Sequence, residues 1–549
     1  MAKRISGGEA LIAQTLRNGV DTIFGLPGAQ TYPMFDAMAR RGNSLRAISA
    51  RHEQGVAYMA MGYAKASGRP GVFSVVPGPG VLNTTAALCT AMGSSTPVLC
   101  LTGQVPSEFM GRGRGHLHEL SDQRATLRSI IKWADRADRV QDAAPMVNEA
   151  FRQMQGGRPG PVAIEMCWDT MAQSAPVDLP PAVEVPAPPP IDPDEIDRAA
   201  ALVRAAKRPM IFLGSGAQHA QAEVRALAKA LGAPVTSFRG GRGIVPETDP
   251  LGLNSAAAYE LWSSTDLAIG IGTRMEMPYM RWGGMGQYVD RADDKRKLIR
   301  IDIDPAEMLR MKPHVGIVAD SAEGAAALAK AVTRKGPRPK ADPDRLEKAR
   351  ARAARKIAKI QPQVAYLEVI RDVLPPDGYF VEELCQVGFA SFYAFPVLTP
   401  RTYVTAGFQG TLGFGFPTAL GAKVAAPDKA VVSVCGDGGF MFAVQELATA
   451  AQFDIAVTTI VFNNGAYGNV KRDQQNAFDG RVIGSDLTNP DFLQLSESFG
   501  VAAERVDSPK ALRPALERAL ASDKPRLIEV VVPFGTETTP WPLILPTAK

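Results

Sequence analysis

The stretch Ala430-Val-Val-Ser-Val-Cys-Gly-Asp-Gly-Gly439, then Gln445-Glu-Leu-Ala-Thr449, then Ala456-Val-Thr-Thr-Ile-Val-Phe-Asn-Asn-Gly465 decides the fold. Two short β-branched runs without polar alternation, separated by a helical segment, read as parallel strands buried on both faces. In such a unit the strands lie side by side with one polarity, so the turns after Val434 and Phe462 open at the same sheet edge. Asp437 and Asn464 then stand at neighbouring strand ends, within reach of one ion. A carboxylate, an amide oxygen and a backbone carbonyl leave room for phosphate oxygens and water, the sparse hard-oxygen set that Mg2+ prefers. Gly436, Gly438 and Gly439 would let backbone N–H groups approach phosphates, helped by the helix N-terminus. A Gly-Asp-Gly alone could be only a tight turn. The Asn-Asn turn one unit later makes the combination specific.

The same alternation recurs along the chain. Gly71–Val76, Pro97–Leu101, Met210–Leu213, Asp266–Ile271 and Leu298–Asp302 are further apolar runs between Ala-rich helical stretches. The expected fold class is α/β, with three doubly wound parallel-sheet domains. Two composition breaks divide them. Prolines dominate between Ser174 and Pro193, giving a stiff connector. The second break is a basic stretch from Arg334, in which Asp342–Ile360 reads as an exposed linker helix. The expected domains are 1–173, 194–335 and 363–535, with a tail over 536–549.

At 549 residues, 46% hydrophobic and 21% charged, the chain suits several ordinary soluble cores. The net charge of +5 is concentrated in the basic stretch rather than spread over a face with aromatics, which argues against nucleic acid as a partner. No apolar run approaches a membrane span, and the start of the chain has no apolar signal core. The five cysteines form no Cys-x-x-Cys pair and read as reduced thiols. A cytoplasmic location is expected.

Several stretches resemble the thiamine diphosphate-dependent enzymes, and within them the acetolactate synthase-like group. They are Ile23-Phe-Gly-Leu-Pro-Gly28, Arg51-His-Glu-Gln-Gly55, Met61–Gly68, Gly78-Pro-Gly80 with Asn83, Gly156–Pro161, Ile301–Pro305 and Gly410-Thr-Leu-Gly-Phe-Gly-Phe-Pro417. The resemblance implies a pyrimidine-binding first domain, a central nucleotide-binding-like domain and a diphosphate-binding third domain. It implies thiamine diphosphate and Mg2+ as cofactors. It places Pro27, Gly28, Glu53, Gly80, Asn83, Gly410, Leu412, Gly436–Gly439, Asn464, Ala466, Tyr467 and Gly468 around the cofactor, with Asp437, Asn464 and Ala466 on the metal. Glu53 would sit against ring nitrogen N1′ and shuttle its proton, a job suited to a carboxyl raised by burial. Leu412 would prop the cofactor into a bent shape. The active site would lie between subunits of a homodimer or dimer of dimers (a homotetramer).

The substrate-pocket positions depart from acetolactate synthase. Gln30 stands where that enzyme has a small residue and the similar benzaldehyde lyase has histidine, while His118 falls where both carry glutamine. Leu117 replaces an aromatic, and Trp168-Asp169 resembles the lyase. Gln30 and His118 could orient or protonate a substrate carbonyl, or His118 could only cap a loop. Arg112 and Arg114 could pair with a carboxylate or be solvated. In the central domain, Gly214-Ser-Gly216, Gly240–Gly243, Gly270–Arg274 and Ile301–Asp304 could hold FAD, which acetolactate synthase binds there. Such turns also close empty folds, and the residues after Arg274 lack that enzyme's acidic continuation. The expected function is a carboligase that decarboxylates a 2-oxoacid such as pyruvate and adds the enamine to a second carbonyl. The alternative is a decarboxylase or a benzaldehyde lyase-like acyloin lyase acting on an aldehyde or acyloin. A catalytically silent subunit is the third reading, opposed by the presence of Glu53, Asp437, Asn464 and Leu412.

Overall fold

A computed structural model describes residues 3–283, 295–334 and 340–546. It contains three six-stranded parallel sheets flanked by helices, as the buried apolar runs predict. The first sheet runs, edge to edge, Arg46–Ser49, Thr22–Gly25, Gly71–Val75, Val98–Gln104, Val162–Cys167, Trp133–Ala137. The third runs Tyr403–Val404, Tyr379–Glu382, Val431–Gly436, Thr458–Asn463, Arg526–Val531, Ala502–Val506. Counted along each domain, both follow the order 2-1-3-4-6-5, so the two domains share one topology. The middle sheet follows the order 3-2-1-4-5-6, with its switch point between Pro209–Leu213 and Leu267–Ile271.

The first and third domains share one apolar core. Helix Glu53–Ser67 lies against helix Gly415–Ala425 at backbone distance. A Cβ on Gly421 would stand 1.9 Å from the Met59 carbonyl oxygen, and one on Gly62 would stand 2.0 Å from that of Thr418. Only glycine permits that approach. The His52 side chain accepts from Gln54 N at 3.1 Å to start the first helix, and Gly68, at φ 73°, ends it.

Both linkers are fastened to the domains beside them, and for the basic helix this corrects the expectation of an exposed one. The proline-rich connector begins as a strand, Ser174–Val177, paired antiparallel with Lys3–Ser6. Its carbonyls at Pro180 and Pro181 accept from Gln14 and Asn148, at 3.1 and 2.8 Å, so it is fastened along the first domain. The basic helix, Pro343–Ile357, is not simply solvated. Leu346, Ala349, Ala353 and Ile357 bury one face at helical spacing, and Arg350 donates to the carbonyls of Asp249, Pro250 and Gly252. Residues 335–339 of the basic stretch and 547–549 of the tail lie outside the described residues. No described helix is long and apolar enough to cross a membrane.

Candidate active site

Strand Val431–Gly436 passes directly into the short helix Asp437–Met441, while its neighbour Thr458–Asn463 ends at Asn464. The two turns are joined as the strand polarity requires. Asp437, only 2% exposed, accepts from Gly465 N at 2.9 Å and from Asn489 Nδ2 at 2.7 Å. Burial pushes its carboxyl above the usual range, against the pull of those amide donors. A cation would relieve that penalty. The glycines here are packed tightly: a Cβ on Gly438 would meet the Tyr467 ring at 2.4 Å, on Gly439 the Glu383 carboxylate at 2.2 Å, and on Gly468 the Asn464 amide at 2.7 Å. Among the described residues no group of three or more His, Cys, Asp or Glu could hold a metal. The Asp437–Asn464 pair fits Mg2+ and a diphosphate by its donor chemistry.

Leu412 sits in a loop between Gly410, at φ 59°, and Gly413, at φ 76°. Buried Glu383 fastens that loop by accepting from Gly413 N at 2.6 Å and Gly415 N at 3.2 Å. Thr411 meets Thr90 of the first domain at 2.8 Å.

Glu53 is the first residue of its helix. Asn83 Nδ2 donates to Glu53 Oε2 at 3.0 Å, and a Cβ on Gly80 would lie 3.7 Å from Glu53 Oε1. Just upstream, the amides of Arg51 and His52 donate to Glu446, at 3.1 and 3.0 Å. Glu446 is fully buried and comes from the third domain, so it fixes the start of the Glu53 helix from across the domain junction. Asp437, Asn464 and their glycines belong to the third domain. Among the described residues no hydrogen bond joins Glu53 to Asp437 or Asn464.

Gln30 and His118, 88 positions apart, are hydrogen-bonded: Gln30 Oε1 lies 2.9 Å from His118 Nδ1. Gln30 Nε2 donates to the Leu117 carbonyl at 2.9 Å. The amide is thereby oriented, Oε1 must accept, and Nδ1 carries the ring proton. Neutral His118 then has its lone pair at Nε2, which meets no protein partner among the described residues. His118 also holds the strained φ of 65°, close above Gly78. Leu117 and Trp168 are exposed, at 62% and 41%. Asp169 is engaged by Ser107 N at 2.9 Å and Ser107 Oγ at 2.6 Å. Arg112 and Arg114 are exposed.

A cavity of about 470 Å³ lies at the switch point of the middle sheet, between all three domains. Its walls include Lys65, Arg158, Gly214–Gly216, Arg274, Asp302 and Phe408. The glycine turns close on one another: a Cβ on Gly214 would stand 2.1 Å from the Gly272 carbonyl oxygen. Burial pushes the Asp302 carboxyl to about 6.

Glu446, Glu383, Asn489 and Glu537 escaped the sequence reading. In the sequence Glu446 looks like an ordinary helix residue. The others belong to segments with no motif.

Two topologically matched sheets, one ending in the Asp437 and Asn464 turns and the other followed by the helix that starts at Glu53, have the domain architecture of thiamine diphosphate-dependent enzymes. Residues 5–126, 196–328 and 385–530 match the N-terminal TPP binding domain, the central domain and the C-terminal TPP binding domain of the thiamine pyrophosphate enzymes. A probable 2-ketoarginine decarboxylase of Pseudomonas aeruginosa is 32% identical, covering 96% of this chain and 94% of its own. The acetolactate synthase isozyme 1 large subunit of Escherichia coli is 30% identical, covering 100% and 97%. The acetolactate synthase large subunit of Corynebacterium glutamicum is 31% identical, covering 99% and 89%. The chain belongs to the acetolactate synthase-like family of thiamine diphosphate-dependent enzymes, which form or cleave carbon–carbon bonds.

Proposed function

We propose that the chain is a Mg2+-dependent carboligase that decarboxylates a 2-oxoacid such as pyruvate and joins the remaining fragment to a second carbonyl. The observation that carries this reading is the coexistence of two built clusters, Asp437 with Asn464 and Glu53 with Asn83. When bound, thiamine diphosphate supplies a carbon that takes up the oxoacid carbonyl and stores the electron pair left by departing CO2. Asp437, Asn464 and the Ala466 carbonyl would hold Mg2+, and Gly436, Gly438 and Gly439 would admit the diphosphate. Pro27, Gly28, Gly80, Gly410, Leu412, Tyr467 and Gly468 would shape the remaining cradle. Glu53 would hold and release the proton at N1′, with Asn83 orienting its carboxylate. His118 would move a proton at the substrate, supported by its free Nε2.

A second reading, release of an aldehyde or cleavage of an acyloin, draws on the same Gln30–His118 pair, because a side chain that gives a proton to the reacting carbon would favour release over ligation. The decarboxylase relative points the same way. An active site shared by two subunits of a homodimer, or of a dimer of dimers, is part of the proposal. It is supported by Glu53 and the Asp437 and Asn464 turns belonging to different domains of the chain. FAD or another adenine nucleotide would occupy the three-domain cavity; a purified protein without flavin absorbance would remove FAD. The free cysteines support a cytoplasmic location. The test is a panel of 2-oxoacids and acyloins with thiamine diphosphate and Mg2+. Acetolactate from pyruvate supports ligation, and aldehyde alone supports the second reading.

A further inference from the structure

The chain beyond the last matched domain returns to the phosphate cradle. Glu537 Oε2 accepts from Asn464 Nδ2 at 2.9 Å, across 73 positions. The segment carrying Glu537 is pinned immediately after that contact. Thr538 N donates to the Gln361 carbonyl at 2.9 Å, and Gln363 Nε2 donates to the Thr538 carbonyl at 2.7 Å. Further on, Trp541 Nε1 donates to Asn469 Oδ1 at 2.5 Å, and its ring packs 5.5 Å from Phe389.

This contact bears on which end of the Asn464 amide can meet a cation. An amide nitrogen has no lone pair to give, so only Oδ1 can ligate Mg2+. The two ends occupy nearly the same space, and packing alone does not choose between them. A carboxylate beside Nδ2 does choose, because a flipped amide would set oxygen against oxygen. Room for Nδ2 exists because residue 468 is glycine, whose Cβ would stand 2.7 Å away. Oδ1 accepts one weaker bond, from Ala466 N at 3.2 Å, and keeps a second lone pair.

We infer that Glu537 is a positioning residue for the metal site: it locks the Asn464 amide with Oδ1 available to the divalent cation. The inference rests on Asn464 being a Mg2+ ligand, as proposed above. An outer partner of this kind typically alters metal affinity 10–100-fold.

The test uses the full chain and titrates Mg2+ at saturating thiamine diphosphate, reading intrinsic tryptophan fluorescence or calorimetric heat. Thermal unfolding of the cofactor-free proteins runs in parallel. Glu537→Ala should weaken Mg2+ binding by about 10–100-fold. Glu537→Gln, which keeps an acceptor for Nδ2, should recover much of that loss. Trp541→Ala, which loosens the tail without removing the carboxylate, should lower the unfolding temperature more than the Mg2+ affinity. Wild-type Mg2+ affinity in Glu537→Ala overturns the inference, as does equal loss in all three variants tracking stability. If Glu537→Ala does not fold, Glu537→Gln against Trp541→Ala decides: metal affinity that follows only stability overturns it. A wild-type chain that binds no Mg2+ with the cofactor defeats the metal-site reading itself, a distinguishable failure.

Discussion

Asn83 donates its side-chain amide to Glu53 across 3.0 Å, bringing a helix-start carboxylate under the control of the segment that follows Gly78-Pro-Gly80. The donor holds one carboxylate oxygen and leaves the other for a proton. Glu53→Gln keeps the shape but removes the ionisable group. It should bind thiamine diphosphate and lose about 10²–10⁴-fold in turnover. Steady-state rates beside a cofactor-binding titration check this; unchanged turnover rules out the assigned role.

The Gln30–His118 pair predicts a split between its members. His118→Ala removes the proton-carrying group and should lower kcat by about 10²-fold or more. Gln30→Ala leaves the ring but frees its tautomer, so the loss should be smaller, about 10-fold. Wild-type kcat in Gln30→Ala would show that the hydrogen bond has no catalytic consequence.

Gly421 faces the Met59 carbonyl at a distance no side chain tolerates. Gly421→Val should cost at least about 1–3 kcal/mol, the usual penalty of overpacking, and more if the helices must part. Thermal unfolding measures this, and a wild-type transition temperature would contradict the close helix contact. Because Met59 lies on the helix that Glu53 starts, the variant should also lose activity before it loses its fold.

Glu382, the last residue of strand Tyr379–Glu382 and the neighbour of Glu383, is buried, with Oε2 meeting no donor. Burial pushes its carboxyl to about 7, opposed by Thr405 and the charge on Arg239. Between its ordinary value of 4.5 and about 7, the folded chain binds a proton that the unfolded chain has released. This group's contribution is therefore full below pH 4.5 and is lost as pH rises through 7, by on the order of 3 kcal/mol. Glu382→Gln should be more stable than wild type at pH 8 and no more stable at pH 4.5. Parallel stability curves for the two proteins across that range would contradict the raised carboxyl.

The parts of this molecule that read directly from sequence are those whose cause is local. Apolar runs made the sheets, and the turns after Val434 and Phe462 had to meet because parallel neighbours share polarity. Thus Asp437 and Asn464 came together as spacing alone required. Glu446, Asn489 and Glu537 did not show because each acts on residues distant in the chain, and only the folded path brings a carboxylate beside them. The Gln30–His118 contact was hidden for the same reason, though both residues stood out as departures from relatives. The basic helix misled because its charges outnumber the four apolar residues that bury it.

We propose that this chain releases CO2 from a 2-oxoacid through a thiamine diphosphate site begun by Glu53 and anchored at Asp437. The most direct measurement is CO2 release by the purified protein across a 2-oxoacid panel, with and without thiamine diphosphate and Mg2+, beside Glu53→Gln. Release from at least one oxoacid is expected, dependent on both cofactors and reduced at least about 100-fold in the variant. Release that needs neither cofactor, or that survives Glu53→Gln undiminished, would contradict it.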